Sequence, residues 1–293
     1  MNVISIGEVL WDVVGPTAHL GGATFNFSAH LSKLGHSVSF ISGVGSDPRG
    51  QRVLEQMGEL GLSSRYISRV KEHSTGIATV TLDKTGQPEF VIKRPAAYDF
   101  PQLSEAELEE LLNQRAEWLY YGTLQQMSST ARKLTKKLLD LNCAKRNFYD
   151  LNLRKDSYEP SLVEELMSRA SVVKLNDGEV NEVVRIFGDS PLPLEDFCRR
   201  YSQKFHWEAV CVTRGADGCA ILMNGEYLVS PGYSVKVIDT VGAGDAFAAA
   251  FVHGFGKGWP VQQIGDFANR VGALIASRRG AVPSWTFSEV KAG

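Results

Sequence analysis

"VIDTVGAGDAFAAAFVHG", Val237 to Gly254, is the stretch on which the reading of the chain turns. Gly242 and Gly244 admit backbone angles that other residues resist. From Ala246 onward the run is apolar on every side, the pattern of a helix buried all round. Glycines ahead of such a helix let successive N–H groups point into one concavity, where orphan donors and the helix dipole favour an anion. Asp245 stands at that helix mouth, where the positive helix end makes a carboxylate tolerable. Its chemistry suits a base that deprotonates a hydroxyl while the N–H groups hold the phosphoryl group under attack. A plain helix cap is the competing reading of these few residues alone. The string is neither the dinucleotide fingerprint G-x-G-x-x-G nor the phosphate loop G-x-x-x-x-G-K-[ST].

Outward from this stretch the chain alternates. "NVISIG" reads as a buried strand closed by Gly7, and Ala23, Phe27, Leu31 and Leu34 follow at helical spacing, closed by Gly35. "SVSFISGVG" predicts the next strand and "RVLEQMGELG" a helix ending at Gly61. Between Thr75 and Ile92 the texture becomes β-rich, with a turn at "DKTGQP" and no helix signal. Alternation resumes after Pro101. A helix runs from Ser104 to Gln114 with Ser104 and Glu107 spaced as a capping box. "WLYYG", "NFYDLN", "SVVKLN" and "AVCVTRG" read as strands, and "STARKLTKKLLDLN" and "SLVEELMSRA" as helices. A hairpin follows through "GCAILMNGEYLVS", turning at Asn224-Gly225, and a last long helix spans about Val261 to Ser277. The prediction is an α/β fold, a doubly wound parallel sheet with helices on both faces, plus a small β-sheet lid. Residues 1–12, 21–71 and 101–293 form the core, and 13–20 and 72–100 the lid. Ligands in such folds sit beyond the carboxyl ends of the strands.

The 293 residues are 43% hydrophobic and 22% charged, with net charge −2, which is ample for a core and gives no support for nucleic acid or an acidic membrane surface as partner. Cys143, Cys198, Cys211 and Cys219 form no C-x-x-C pair and read as structural thiols in a reducing compartment. "MNVISIGEVLWD" has no basic leader, Glu8 and Asp12 break its apolar run, and no stretch approaches the length of a membrane span. A cytoplasmic protein is the expectation. His30, His36 and His253 form no ligand-like cluster and read as packing or surface residues.

"DTVGAGDAFAAAF" resembles the C-terminal signature of the PfkB/ribokinase family of carbohydrate kinases, "GGATFNFSAHLSKLG" its N-terminal signature and "GVGSDPRG" the segment that follows. Order and spacing agree along nearly the whole chain. The resemblance implies a ribokinase-like fold, Asp245 as catalytic base, and the amides of Gly242, Ala243, Gly244 and Asp245 as the anion hole. It assigns Asp12, Gly21, Gly22 and Asn26 to the sugar, with Thr24-Phe25 replacing smaller residues and altering the pocket. Asp47 is a further substrate candidate, against a structural role. Asn176 and Glu179 of "KLNDGEV" resemble the family's Asn-x-x-Glu, which organises Mg²⁺ through water and phosphate. Asp150, Asn152 and Arg154 of "DLNLR" sit near the phosphate path, where the planar fork of Arg154 suits phosphoryl oxygens.

By the same resemblance Thr213, Gly215 and Asn269 contact ATP. Asp239 and Val241, with Ile275, Arg278, Gly280 and Ser284, match a K⁺ site. Lys93, Arg94 and Tyr98 close the lid, with Tyr98 the candidate for a sugar contact. "GEVLWDV" and "DLNLR" look most like bacterial fructokinases, so D-fructose phosphorylated at its 6-hydroxyl is the first expectation. Another ketose, a sugar acid or ribose comes next. A nucleoside or vitamin-alcohol kinase would need a stacking pocket, for which Phe25 and Phe27 are the candidates. A non-catalytic scaffold would be expected to lose the base or the anion hole. The family's lids often pair, which implies a homodimer through the lid.

Overall fold

Nine strands form the central sheet of the computed structural model, which describes residues 1–82 and 88–291. In chain order the strands are β1 Asn2–Ile6, β2 Leu10–Val14, β3 Thr17–Gly21, β4 Ser37–Gly45, β5 Ile67–Val70, β6 Gly76–Leu82 and β7 Pro88–Ile92. They continue with β8 Ala116–Gly122, β9 Ala144–Asp150, β10 Val172–Asn176, β11 Ala209–Thr213, β12 Cys219–Met223 and β13 Glu226–Ser230. The large sheet runs β13-β12-β11-β10-β9-β8-β1-β4-β5. The stretch from β11 to β5 is parallel, and β12 and β13 add antiparallel at one edge. Asn224 and Gly225 both take positive φ, 52° and 82°, as the tight hairpin between β12 and β13 requires.

Helices cover both faces. They are α1 Ala23–Lys33, α2 Pro48–Glu59, α3 Glu105–Asn113, α4 Thr123–Gln126, α5 Ser129–Asp140, α6 Pro160–Arg169, α7 Asp177–Phe187, α8 Leu194–Phe205, α9 Ala243–Gly256, α10 Val261–Ala276 and α11 Phe287–Lys291. One face packs α3, α5, α6, α7 and α8 against the sheet, and the other packs α1, α9 and α10. Ala246 through Gly254 of α9 are all buried, as their unbroken apolar run demands. Helix α2 begins at Pro48, earlier than the apolar spacing indicates, because Asp47 caps it and a proline fits its first turn. Strand β5 has no clear sequence signature, whereas α8, which the sequence reading did not name, carries one in Leu194, Phe197, Cys198, Tyr201 and Phe205 at helical spacing.

A second, four-stranded sheet, β3-β2-β6-β7, stands over one end of the large one. Its first hairpin draws in Leu10–Asp12 and Gly21, which the sequence assigned to the core. Only three residues, Gly7 to Val9, separate β1 from β2, so the chain crosses directly from one sheet to the other. The turn expected at "DKTGQP" lies largely outside the described residues. All four cysteines are free and buried, and no described helix is long and apolar enough to cross a membrane.

Candidate active site

The parallel strands β1, β8, β9, β10 and β11 end side by side, and the residues that follow them line one cleft of about 310 Å³. Glu8 comes from the exit of β1, Asn152 and Arg154 from β9, Asn176 and Glu179 from β10, and Thr213 from β11. Leu10, Asp12, Ala78 and Ile92 of the small sheet close the opposite wall, and Val241, Gly242, Gly244 and Asp245 bring in the mouth of α9. This is the carboxyl end of a doubly wound sheet, where the topology leaves a crevice.

Asp245 sits in the first turn of α9. Its Oδ2 accepts from Asn26 Nδ2 at 2.8 Å, which joins the first turns of α9 and α1 across the cleft. Burial pushes the Asp245 carboxyl up to about 6, against the pull of Asn26, while Asp150 adds to the rise. Gly242 caps the helix with φ 80°, and a Cβ there would lie 2.5 Å from the carbonyl oxygen of Ala281. The Gly244 and Asp245 N–H groups have no acceptor among the described residues, whereas Ala243 N–H turns back to Thr240 O at 3.3 Å. Gly242 N–H likewise has no acceptor among the described residues, so the expected anion hole is open at Gly242, Gly244 and Asp245 and partly spent at Ala243.

The sugar-side residues divide. Asp12 lines the cleft, its carboxyl raised to about 6 by burial against the opposing effect of Arg154. Gly21 lies under it, where a Cβ would meet Asp12 Oδ2 at 2.3 Å. Gly22 takes φ 106° and packs against the carbonyl of Glu8. Asn26 keeps its Oδ1 buried and without a partner. Asp47 is not in the cleft. Its carboxylate accepts from Gly50 N, Thr75 N and Thr75 Oγ1, so it caps α2 and ties it to the start of β6. Tyr98 is fully buried under Gly76 and does not line the cleft, and its hydroxyl has no hydrogen-bond partner among the described residues. Arg94 is held by Asp99 and the Leu124 carbonyl. Thr24 and Phe25 face the core, with Phe25 against Phe40, and so do not reshape the pocket. Phe27 stacks on Tyr120 at 3.6 Å inside the core. Neither phenyl ring is available to a flat base.

Asn176 and Glu179 form a reciprocal capping box at the start of α7. The two oxygens of Glu179 accept from Leu153 N at 2.6 Å and Asn176 N at 2.8 Å, fastening the exit of β9 to that of β10. Thr213 lines the cleft, while Gly215 begins an exposed turn outside it. Asn269 is buried and spends its amide on Ser230 and Pro231, so it holds a loop instead of pointing to a ligand. The two loops expected to hold a monovalent cation do meet. Asp239 accepts from Val241 N and Gly280 N, each at 3.0 Å. The Ile275 carbonyl accepts from Arg278 N, and the Arg278 guanidinium bonds the Ser284 carbonyl and Glu289, whereas the atoms expected to face the ion at these positions are the Arg278 and Gly280 carbonyls and the Ser284 hydroxyl. The three histidines lie away from the cleft. His30 bridges Ala281 O and Trp285 Nε1, and His36 pairs with His253.

Two groups escaped the sequence reading. Lys174, 6% exposed, donates to both oxygens of Asp150 at 2.9 and 3.0 Å, and Tyr120 Oη donates to the same carboxylate. A Cβ on Gly244 would lie 3.8 Å from Lys174 Nζ, so this ammonium faces the anion hole. Burial works against the Lys174 charge, but Asp150 and Glu179 hold its pKa above the ordinary value. Glu8 is the second, 4% exposed, its carboxyl raised by burial to about 7. Both occupy strand or strand-end positions where an isolated charge gives no periodic signal.

The model for the pfkB family of carbohydrate kinases matches residues 5–287. Probable fructokinase-5 of Arabidopsis thaliana is 29% identical over 310 residues, spanning 96% of this chain and 93% of its own. A fructokinase from Xylella fastidiosa, solved with bound ATP, superposes with a TM-score of 0.88 at 22% identity, over 99% of this chain and 97% of its own. A double-mutant fructokinase from Vibrio cholerae, bound to fructose, ADP and potassium ion, superposes with a TM-score of 0.84 at 22% identity, over 99% and 97%.

Proposed function

We propose that this chain, which belongs to the pfkB family of carbohydrate kinases and is a sugar kinase, transfers the γ-phosphoryl group of ATP to the 6-hydroxyl of D-fructose. The observation that carries the reading is Asp245, held by Asn26 at the mouth of α9 beside N–H groups that lack an acceptor. In the proposed reaction Asp245 takes the hydroxyl proton, the sugar oxygen bonds to the γ-phosphorus, and the bond to the β-phosphate oxygen breaks to release ADP. The Gly244 and Asp245 amides, Lys174 and Arg154 neutralise the charge on the moving group.

ATP is the co-substrate, and Thr213 and the exposed Val235, Val237 and Ile238 beside the motif support a seat for it. The donor set suits Mg²⁺. Both oxygens of Glu179 already accept N–H bonds, so it and Asn176 would act through water, as this ion prefers. Bound there, Mg²⁺ supplies charge neutralisation at the phosphates. Asp239 and the carbonyls of the 275–284 loop are oxygen donors of the kind a K⁺ activator takes. Fructose is favoured by the named relatives, and the absence of a stacking ring among the described residues that line the cleft speaks against a nucleoside. The exposed Val14 and Val91 of the small sheet support a homodimer through the lid, which sedimentation would test.

The deciding experiment is an ADP-release assay with Mg²⁺-ATP, with and without K⁺, over neutral sugars, sugar acids and nucleosides. Fructose-dependent turnover is expected. Turnover on another sugar alone discards fructose, and turnover on none, by folded protein that binds ATP, discards the kinase reaction.

A further inference from the structure

We propose that Glu8 is a substrate-binding residue, whose carboxylate accepts a hydrogen bond from one sugar hydroxyl and so helps select the sugar. The proposal rests on the assignment of this cleft to a sugar. Glu8 leaves the central strand β1 at its carboxyl end and lines two spaces at once. One is the main cleft. The other is a chamber of about 10 Å³ behind it, close to the volume one water needs, walled by Tyr120, Thr123, Asp150 and Arg154.

Counting hydrogen bonds gives the argument. A carboxylate offers about four acceptor positions. The hydrogen bond Glu8 receives is that of Thr24 N, at 3.5 Å, the outer limit of a hydrogen bond. A residue kept only to cap α1 would sit closer to the amides it caps. On the same wall, Asp12 offers a carboxylate and Asn26 a buried Oδ1 with no partner. Arg154 lines the same two spaces and its charge acts on Glu8, but no hydrogen bond joins the two among the described residues, so acceptor positions on this wall stay open to donors that arrive with a ligand. A polyol brings one on every hydroxyl, and Leu10, Ala78 and Ile92 opposite suit the C–H face of its ring.

The test measures steady-state kinetics of Glu8→Leu and Glu8→Gln with the sugar that the wild type phosphorylates and with each of its monodeoxy analogues. Thermal midpoints are taken alongside. Glu8→Leu should raise the sugar KM by about ten- to hundredfold, with Glu8→Gln intermediate because the amide oxygen still accepts. The KM for ATP should hold, and the midpoint should not fall. One deoxy analogue should show no further loss in Glu8→Leu, identifying the hydroxyl that Glu8 meets. An unchanged sugar KM, an equal loss on every analogue, or a rise in both KM values with a lowered midpoint would overturn the proposal. Should Glu8→Leu not fold, Glu8→Gln carries the same comparison. A wild type inactive on all sugars fails the underlying reading, whereas an active wild type with an indifferent Glu8 fails this inference alone.

Discussion

Replacing Asp245 by Asn should abolish turnover and stabilise the protein. The Asp245 carboxyl is raised from 3.8 to about 6, chiefly by burial. A raised acid contributes stability below its unfolded value and loses it as pH climbs through the folded value. A shift of roughly 2 units corresponds to about 3 kcal/mol lost above pH 7. Water reaching the cleft screens part of that, leaving about 1–2 kcal/mol. The amide keeps the shape and still accepts from Asn26, so Asp245→Asn should recover this amount, a rise of about 2–6 °C in thermal midpoint at pH 8. The gain should shrink as pH falls from 6 towards 4, where the wild-type acid is protonated. Turnover should fall by about 10²- to 10⁴-fold. Differential scanning fluorimetry at pH 8 and pH 4.5, beside the ADP-release assay, reads both effects. An Asn variant no more stable than wild type at pH 8, or a gain independent of pH, would refute the claim that this carboxylate is held at an electrostatic cost.

Four further outcomes follow from the geometry. The wild-type kcat/KM should decline below about pH 6, because Asp245 must be ionised to accept the proton, and a profile flat to pH 5 would contradict it. Lys174→Met strands the buried Asp150 carboxylate and should cost about 3–5 kcal/mol in urea unfolding, much of it regained in the double variant Lys174→Met/Asp150→Leu. Gly242→Ala forces a Cβ against Ala281 at φ 80° and should cost at least about 1–3 kcal/mol together with most of the activity. Burial lowers His30 to about 4, so the advantage of wild type over His30→Gln should fall by about 3 kcal/mol as pH drops from 7 to 4. Glu8, Asp12 and Asp245 act with the opposite sign over the same range, so only the difference between the two proteins is informative.

The alternation of strands and helices was legible because each buried strand is a short apolar run and each surface helix keeps its period. The hairpin at Asn224-Gly225 was legible because its backbone angles demand those residues. Asn26 and Asp245 could be named from the motifs, but their hydrogen bond spans 219 positions and no local pattern encodes it. Asp47 and Asn269 misled for a shared reason. A polar residue near a motif reads as a ligand, yet backbone donors and acceptors elsewhere claimed both side chains. Lys174 and Glu8 were hidden by the converse effect, because burial, which turns an ordinary charge into a functional one, is a property of the tertiary structure.

Glu8, Asp12, Asp245 and Glu179 crowd acids into a cleft served by few cations. An empty cleft of this kind is a standing load on the fold, and a ligand that brings hydrogen-bond donors relieves it. The population of opened chains available to proteases then depends on how much sugar is present.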